Sequence, residues 1–218
     1  MAVIVVSGMA FEARIAAGAG VRVMWRGNEE ILASALSNAI GEGCRGLISF
    51  GVAGGLAPHL RTGTCIVAST ILHDANQFHT DPSWSRNLLE IIPNAVPGAI
   101  VGVASPVAHP EAKNALHAAT GAAAVDMESH IVASVAAEHG LPVAAIRVIT
   151  DSASCELPRS VLAALRANGT IDIAAMTRSI MRAPNEVPML LRTARQAIVS
   201  GFVLRRNRRL VGASFGLP

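Results

Sequence analysis

Short apolar runs alternate with helix-like segments along this sequence, and several of the runs end at glycine or at a polar residue. Unbroken apolar runs of this length are typical of strands that are buried on both faces of a sheet. Their alternation with helices predicts an α/β fold, a three-layer αβα arrangement around a central mixed, largely parallel sheet. The predicted strands cover residues 2–6, 21–25, 46–50, 64–72, 99–104, 122–125 and 143–150.

The helix signals divide the chain into two predicted parts. Asn28 can cap one helix, and a second helix is predicted over residues 127–139. Beyond Pro158 the pattern is wholly helical. We therefore expect one α/β domain over residues 1–183, followed by a basic, apolar helical tail at residues 184–218.

The composition excludes several classes of protein. Hydrophobic residues make up 51% of the 218 residues and charged residues only 15%, which excludes a disordered chain. Aromatic residues amount to 3%, without any tyrosine, so a stacking platform for single-stranded nucleic acid is not expected. The net charge of +3 is concentrated in arginines near the C-terminus, so we expect no nucleic-acid partner for the fold itself.

Membrane, export and metal signals are weak in this sequence. The best apolar stretch, residues 131–149, is interrupted by charged residues and proline, and the N-terminal run lacks the basic flank of a signal peptide. Cys44, Cys65 and Cys155 are scattered without metal-ligand spacing. We therefore expect a cytoplasmic protein with reduced thiols and neither a metal site nor an organic cofactor.

Chemically useful residues follow three of the predicted strands. They lie at residues 7–12, 51–55 and 150–151, and residues 126–128 open a predicted helix. In an open α/β sheet, ligands bind beyond the carboxyl ends of the strands, so these segments can share one crevice. The glycine run at residues 51–55 does not match the G-x-G-x-x-G pattern, which disfavours a Rossmann dinucleotide site.

Taken singly, these residues also have structural interpretations. Asp126 and Asp151 can cap helices or turns, and Glu128 is favoured near a helix N-terminus by the helix dipole. Glu12 fits a solvated helix face, and the glycine run fits a tight turn that needs positive φ.

Taken together, the motifs resemble one enzyme family. VDMES at residues 125–129, GLP at 140–142 and IRVITD at 146–151 are similar to the signature of the purine nucleoside phosphorylase and methylthioadenosine/adenosylhomocysteine nucleosidase family. GVAGGL at 51–56, His73-Asp74 and residues 8–12 also resemble that family. The resemblance covers about residues 2–155 and implies a nucleoside phosphorylase-like fold. The short segment at 16–28, the arginine-rich C-terminus and the alanine content look most like the bacterial hopanoid-associated phosphorylase branch.

The resemblance implies a role for each matching residue in cleaving a purine N-ribosidic bond. Such cleavage passes through an oxocarbenium-like sugar and needs a proton for the departing base. The implied roles are Asp151 as the acid that protonates purine N7, Glu12 as the base that activates water, Glu128 and Met127 at the ribose, Ser105, Pro106 and Val107 at the purine, and Arg147 as the residue that orients Asp151 or a neighbouring carboxylate.

The nucleophile is where the sequence departs from the family. Phosphorolytic members hold phosphate with a hydroxyl residue and an arginine, but Val52 and Ser49 occupy the equivalent positions. Phosphate could instead rest on a nucleophile loop formed by Gly8, Val52, Ala53 and Gly54, helped by Arg14 or Arg26. We favour phosphorolytic release of adenine from adenosylhopane, with inorganic phosphate as co-substrate. Hydrolysis of methylthioadenosine- or adenosylhomocysteine-like nucleosides is the alternative, and a non-catalytic nucleoside-binding protein is an alternative of another class.

The C-terminal segment suggests partners beyond the nucleoside. Residues 196–210 combine apolar side chains with four arginines, which fits a helix lying on an anionic membrane surface. A solvated end and an oligomer contact fit the same residues. A lipid-linked nucleoside would place the enzyme at the inner membrane face, and the family resemblance implies a homo-oligomer.

Overall fold

All strands belong to one mixed sheet in the computed structural model, which describes residues 2–25, 29–166 and 170–218. The predicted three-layer αβα fold with a largely parallel central sheet is confirmed. Five of the strand pairs are parallel, and three pairs (β3–β7, β4–β5 and β4–β8) are antiparallel. The strands are β1 (Ala2–Val6), β2 (Val21–Met24), β3 (Cys44–Gly55), β4 (Cys65–His73), β5 (Asn76–His79), β6 (Val96–Gly102), β7 (Ala124–Asp126) and β8 (Val143–Asp151).

The centre of the sheet closes on itself. β3 pairs with β8, β8 with β4, β4 with β6 and β6 with β7, and β7 returns to the far end of β3. This closure brings the carboxyl ends of β3, β7 and β8 to the same region. Because chemistry-bearing residues follow these strands, the topology gathers them at one edge, as ligand sites in α/β proteins require.

The pairing of β3 with β8 contains one irregularity close to that edge. Ala53 pairs with Ile149, but the next residue, Gly54, pairs with Asp151, so β8 carries one extra residue at Thr150. Such a β-bulge interrupts the two-residue alternation of side chains and redirects the side chain that follows it. Asp151 is that side chain.

Helices cover both faces of the sheet. The apolar side chains of α2 and α5 pack with β1 and β3 on one face, and α1, α3 and α8 pack on the other. The N-cap predicted at Asn28 lies outside the described residues. The helices are α1 (Ala10–Ala16), α2 (Glu29–Gly41), α3 (Pro82–Ile91), α4 (Pro110–Thr120), α5 (Ser129–Glu138), α6 (Arg159–Ala164), α7 (Ile173–Arg182) and α8 (Val187–Leu210), with a 3₁₀ turn at Pro184–Glu186 before α8.

The glycine run predicted as a turn is part of a strand. β3 continues through Gly55, and Gly51, Gly54 and Gly55 are absent from the positive-φ glycines of the described chain. The turn interpretation is therefore wrong. These glycines provide space instead, because side chains from α1 and β8 pass directly over the strand, as described below.

The C-terminal segment is helical and its far half contributes to the core. α8 buries Thr193, Ser200, Leu204 and Asn207. Phe215, which follows the helix, accepts a hydrogen bond from Trp84 Nε1 at 2.8 Å on its carbonyl oxygen. None of the described helices is both long and apolar enough to cross a membrane.

The packing of α8 can be tested with two leucines of the same helix. Leu204 is fully buried and Leu191 is 66% exposed. We expect Leu204→Ala to lower the free energy of unfolding by about 2–5 kcal/mol, because the truncation leaves a cavity. Leu191→Ala should change it by less than about 0.5 kcal/mol. Urea denaturation followed by circular dichroism measures both values, and equal small losses would contradict the docking of α8.

Candidate active site

The ends of β1, β3, β7 and β8 surround a cavity of about 570 Å³. Asp151 and Glu128 both line it, which is the arrangement that the family resemblance requires. Among the predicted site residues, the cavity is lined by Gly8, Glu12, Val52, Ala53, Gly54, Pro106, Val107, Met127, Glu128 and Asp151. Ser105 is exposed and is not part of this lining, and Arg147 is fully buried beneath it.

Arg147 organises the carboxylates on one side of the cavity. Its Nη2 lies 2.5 Å from Asp126 Oδ2 and 3.2 Å from Glu128 Oε2. The same nitrogen donates a hydrogen bond to Ser49 Oγ at 2.6 Å. Arg147 is predicted to orient either Asp151 or a neighbouring carboxylate. The structure shows it in contact with the neighbouring carboxylates, and the cation next to Asp151 is Lys113.

Asp126 combines its predicted capping role with an ion pair. Its carboxylate accepts a hydrogen bond from the Ser129 hydroxyl and from the Ser129 amide, at the beginning of α5. The side chain is almost completely buried, and Arg147 neutralises its charge. Through these contacts Asp126 connects the end of β7 with the start of α5 and, by way of Arg147, with β8. The backbone at Glu128, which lies between β7 and α5, is fixed as a result.

Glu128 is held in a partly desolvated position. Its side chain is 21% exposed, and a Cβ atom on Gly8 would lie only 2.3 Å from Glu128 Oε1. Burial raises the pKa of Glu128 to about 7, although Arg147 opposes the shift, and the nearby charges of Asp126 and Glu12 add to it. Gly8 therefore serves the site by leaving room for a carboxylate.

Glu12 is also buried, because α1 begins directly above β3. Its Oε1 accepts the Val52 amide at 2.7 Å and its Oε2 accepts the Met9 amide at 2.8 Å. Burial raises the pKa of Glu12, and the charge of Arg147 works against that shift. A Cβ on Gly51 would lie 2.6 Å from Glu12 Oε1 and 2.5 Å from Arg147 Nη1, which explains why this stretch of β3 is glycine-rich. The solvated helix face considered for Glu12 is wrong.

Asp151 has a partner that the sequence interpretation missed. The ammonium group of Lys113, on α4, donates a hydrogen bond to Asp151 Oδ2. The same group donates to the carbonyl oxygens of Ser152 at 3.2 Å and Cys155 at 2.8 Å. Burial raises the pKa of Asp151, and the positive charge of Lys113 opposes this. One signal could have drawn attention to it, because Lys113 is the single lysine in the sequence.

The phosphate cradle expected on the glycine run is not formed by residues 51–55. These residues pair along β8 and β7, and the Val52 amide donates to Glu12. A concave group of amides that binds an anion needs a turn-like backbone, which an extended strand does not provide. Arg14 is exposed in the last turn of α1 and does not line the cavity, while Arg26 lies outside the described residues.

The remaining wall of the cavity is apolar. Leu157, Leu162 and Leu165 line it where α6 and its flanking segments approach Asp151, and Arg166 stands beside them. Val103 and Val125 add apolar surface near the predicted purine residues. The cavity therefore offers polar groups around its carboxylates and apolar surface elsewhere, as small-molecule sites commonly do.

One group of potential metal ligands lies outside this lining. Glu29, His73 and His130 bring three ligand atoms within 4.8 Å of one another. The two imidazole rings stack at 4.0 Å with 21° between their planes. Lone pairs in nearly parallel rings point side by side rather than toward one centre, so the arrangement does not resemble a preformed coordination site.

Comparisons with known proteins agree on a family and a fold. The sequence profile described as Phosphorylase superfamily matches residues 2–180. No curated protein matches the chain. Among solved structures, 5′-methylthioadenosine/S-adenosyl homocysteine nucleosidase from Helicobacter pylori is similar with a TM-score of 0.65 and 16% identity, covering 95% of this chain and 97% of that one.

Two further solved structures have a similar fold. Futalosine hydrolase from Helicobacter pylori has a TM-score of 0.63 and 17% identity, with 90% of this chain and 98% of that chain covered. A putative methylthioadenosine nucleosidase from Weissella paramesenteroides has a TM-score of 0.62 and 20% identity, with 93% and 99% covered. At these identities the likeness concerns the fold.

The raised pKa of Glu128 predicts a pH-dependent stability. Its protonated form stabilises the fold fully below the ordinary pKa of 4.5, and this contribution is lost as the pH rises through about 7. We expect the free energy of unfolding to fall more steeply across this window in the parent protein than in Glu128→Gln. Denaturant titrations at several pH values measure the difference. Glu12 and Asp151 remain in both proteins, so parallel curves would contradict the assignment to Glu128.

Proposed function

The chain belongs to the phosphorylase superfamily, and we propose that it cleaves the N-ribosidic bond of a purine nucleoside with water as the nucleophile. The observation that carries this proposal is the arrangement of Glu12, Glu128 and Asp151 around one cavity. Two of these carboxyl groups suit the acid and base roles of the reaction, and the third suits recognition of the sugar.

Asp151 is proposed to protonate the departing purine at N7. Burial raises the pKa of this carboxyl group, which favours the protonated form that an acid needs near neutral pH. Val103, Pro106 and Val107 provide an apolar surface against which the purine ring can pack.

Glu128 is proposed to accept hydrogen bonds from the ribose hydroxyl groups. Arg147 fixes one of its oxygens and Gly8 leaves room for the other, so the carboxylate is in place before the substrate arrives. Hydrogen bonds to a carboxylate strengthen as positive charge develops on the ribose ring, so they favour the transition state over the ground state. Met127, the adjacent lining residue, packs against the sugar in this arrangement.

Glu12 is proposed to activate the water molecule. Two backbone amides orient its carboxylate, and its raised pKa makes it a stronger base than an exposed glutamate. The strand conformation of residues 51–55 removes the expected phosphate cradle, which is why we now favour hydrolysis over the phosphorolysis predicted from the sequence. The solved structures with this fold include two proteins named as nucleosidases and one named as a hydrolase.

The nucleophile can be identified by assaying base release from a panel of purine nucleosides with and without inorganic phosphate. We expect free adenine and free ribose in phosphate-free buffer, with no sugar phosphate when phosphate is added. Glu12→Gln should reduce kcat by about 100-fold or more, because the amide cannot accept the proton of water. Glu30→Gln, on the exposed start of α2, is the matched control and should leave the rate unchanged. A strict requirement for phosphate would restore the phosphorolytic interpretation, and binding without any base release would favour the non-catalytic one.

We also propose that the outward face of α8 contacts an anionic membrane surface, where a lipid-linked nucleoside such as adenosylhopane would be met. Leu191, Ile198 and Phe202 on this face are each at least 60% exposed. Arg195, Arg205 and Arg206 are exposed on the same helix. An exposed apolar patch bordered by arginines is complementary to a bilayer that contains anionic lipids. The apolar cavity wall near α6 supports an apolar 5′ substituent.

Vesicle co-sedimentation tests the membrane contact. We expect the protein to pellet with vesicles that contain phosphatidylglycerol and to remain in solution with neutral vesicles. Replacing Ile198 and Phe202 together with serine should reduce binding at least tenfold, since two buried apolar side chains are lost. Ile31→Ser, at an equally exposed position on α2, is the control. Unchanged binding in the double variant, or self-association of the parent through this face without vesicles, would overturn the proposal.

A further inference from the structure

Among the residues that the structure describes, Lys113 is the one buried cation that the proposed reaction does not yet use. It stands on α4, its side chain is completely buried, and it reaches the general acid of the proposed function. An unpaired ammonium group in such surroundings would be very costly, so its position must be compensated by its contacts. Those contacts indicate what Lys113 does for Asp151.

The hydrogen-bonding capacity of the ammonium group is fully used. A lysine ammonium has three N–H donors and no acceptor. Lys113 Nζ has three acceptors in reach, namely Asp151 Oδ2 and the carbonyl oxygens of Ser152 and Cys155. The two carbonyl oxygens belong to the segment that follows β8, so the lysine is held from the same side as the carboxylate that it contacts. With its other two donors held by these carbonyl oxygens, Lys113 directs its remaining N–H to Oδ2 of Asp151.

Resting on the proposed function, we propose that Lys113 is a positioning residue for the general acid. It engages Oδ2 of Asp151, which leaves Oδ1 as the oxygen that carries the proton to the purine, and it neutralises the carboxylate that forms when the proton has left. Asp151 touches the base in this scheme, whereas Lys113 acts only through Asp151.

The proton count of the step is balanced. The proton on Asp151 Oδ1 moves to purine N7 while the bond between the anomeric carbon and N9 breaks, and the electron pair of that bond goes to the purine. Water forms the new bond to the anomeric carbon and gives one proton to Glu12. The lysine keeps all three of its protons throughout. The two carboxyl groups then exchange their protons with solvent.

The groups around Asp151 leave Lys113 as its direct counter-charge. Cys155 lies on the following loop, and its carbonyl oxygen rather than its thiol contacts Lys113. Glu12, Glu128 and Arg166 line the same cavity. Glu128 and Glu12 interact electrostatically with Arg147, and Arg166 pairs with Asp172 at 2.8 Å. Removing the charge of Lys113 should therefore raise the pKa of Asp151 further, since burial would then be opposed only by a backbone hydrogen bond.

Two variants and two substrates separate a positioning role from a structural one. Lys113→Met removes the charge and the donors, and Lys113→Gln keeps an N–H donor without the charge. The substrates are a purine nucleoside, whose base needs a proton to leave, and p-nitrophenyl riboside, whose phenolate leaves without one. Asn114→Met, at the exposed neighbouring position on α4, is the control. Thermal unfolding of each variant reports whether it folds.

We expect both Lys113 variants to lower kcat/KM for the purine nucleoside by about 100-fold, as loss of acid catalysis does. The alkaline limb of the pH profile should move to higher pH by about one unit or more, because the acid has become weaker. Cleavage of p-nitrophenyl riboside should change by less than about threefold, and Lys113→Met combined with Asp151→Asn should be no slower than Asp151→Asn alone.

Four results would overturn the inference. Equal loss with both substrates and an unmoved alkaline limb would assign Lys113 a structural role. Additive losses in the double variant would show that the two residues act independently. A parent protein that releases base but is insensitive to Lys113→Gln would refute the inference while the proposed function stands, and a parent protein that releases no base from any nucleoside would refute both.

Discussion

The site depends on one buried guanidinium group. Arg147 is completely enclosed, and three carboxylates lie close enough to feel its charge, from α1, from the end of β7 and from the start of α5. Burying several acidic groups together is unfavourable unless a cation compensates them, and loss of one partner from such a cluster is far more costly than loss of a surface pair. The cluster thus joins three separate segments of the chain and sets the electrostatics of the side of the cavity that Glu12 and Glu128 line.

The same cluster bears on the choice of nucleophile. A phosphate dianion entering this side of the cavity would face Glu12 and Glu128, and the nearest guanidinium is already paired with Asp126 and Glu128. A neutral water molecule meets no such repulsion, and it can use a carboxylate as its proton acceptor. This electrostatic difference is independent of the strand conformation of residues 51–55, and both support the hydrolysis that we propose.

Much of the fold and part of the site could be predicted because their signals are local. Apolar runs mark the strands, and the carboxyl ends of the parallel strands β3 and β8 share an edge, which places Asp151 there. Glu128 reaches the same cavity by a different route, because the short strand β7 runs antiparallel to β3 and pairs with its last two residues. Other features depend on packing between distant segments. The glycines of β3 suggest a turn when read alone, but they are required by the side chains of Glu12 and Arg147 that lie over them. Lys113 sits in a helix that no periodic pattern marked, and its partner is 38 residues away.

The extra residue at Thr150 has a wider consequence for how this chemistry can be transferred to another protein. In an evenly paired ladder, the direction of each side chain follows from its position in the strand, and Arg147 and Asp151 would project from the same face. Here β8 contains one more residue than the matching stretch of β3, just before Asp151. The direction of the Asp151 side chain therefore depends on this β-bulge and not on the regular alternation of the strand. A regularly paired strand with the sequence of β8 would set Thr150, rather than Asp151, against Gly54, so copying the sequence alone would displace the acid by one residue along its partner strand. The transferable unit is the mismatched strand pair, with its defect intact.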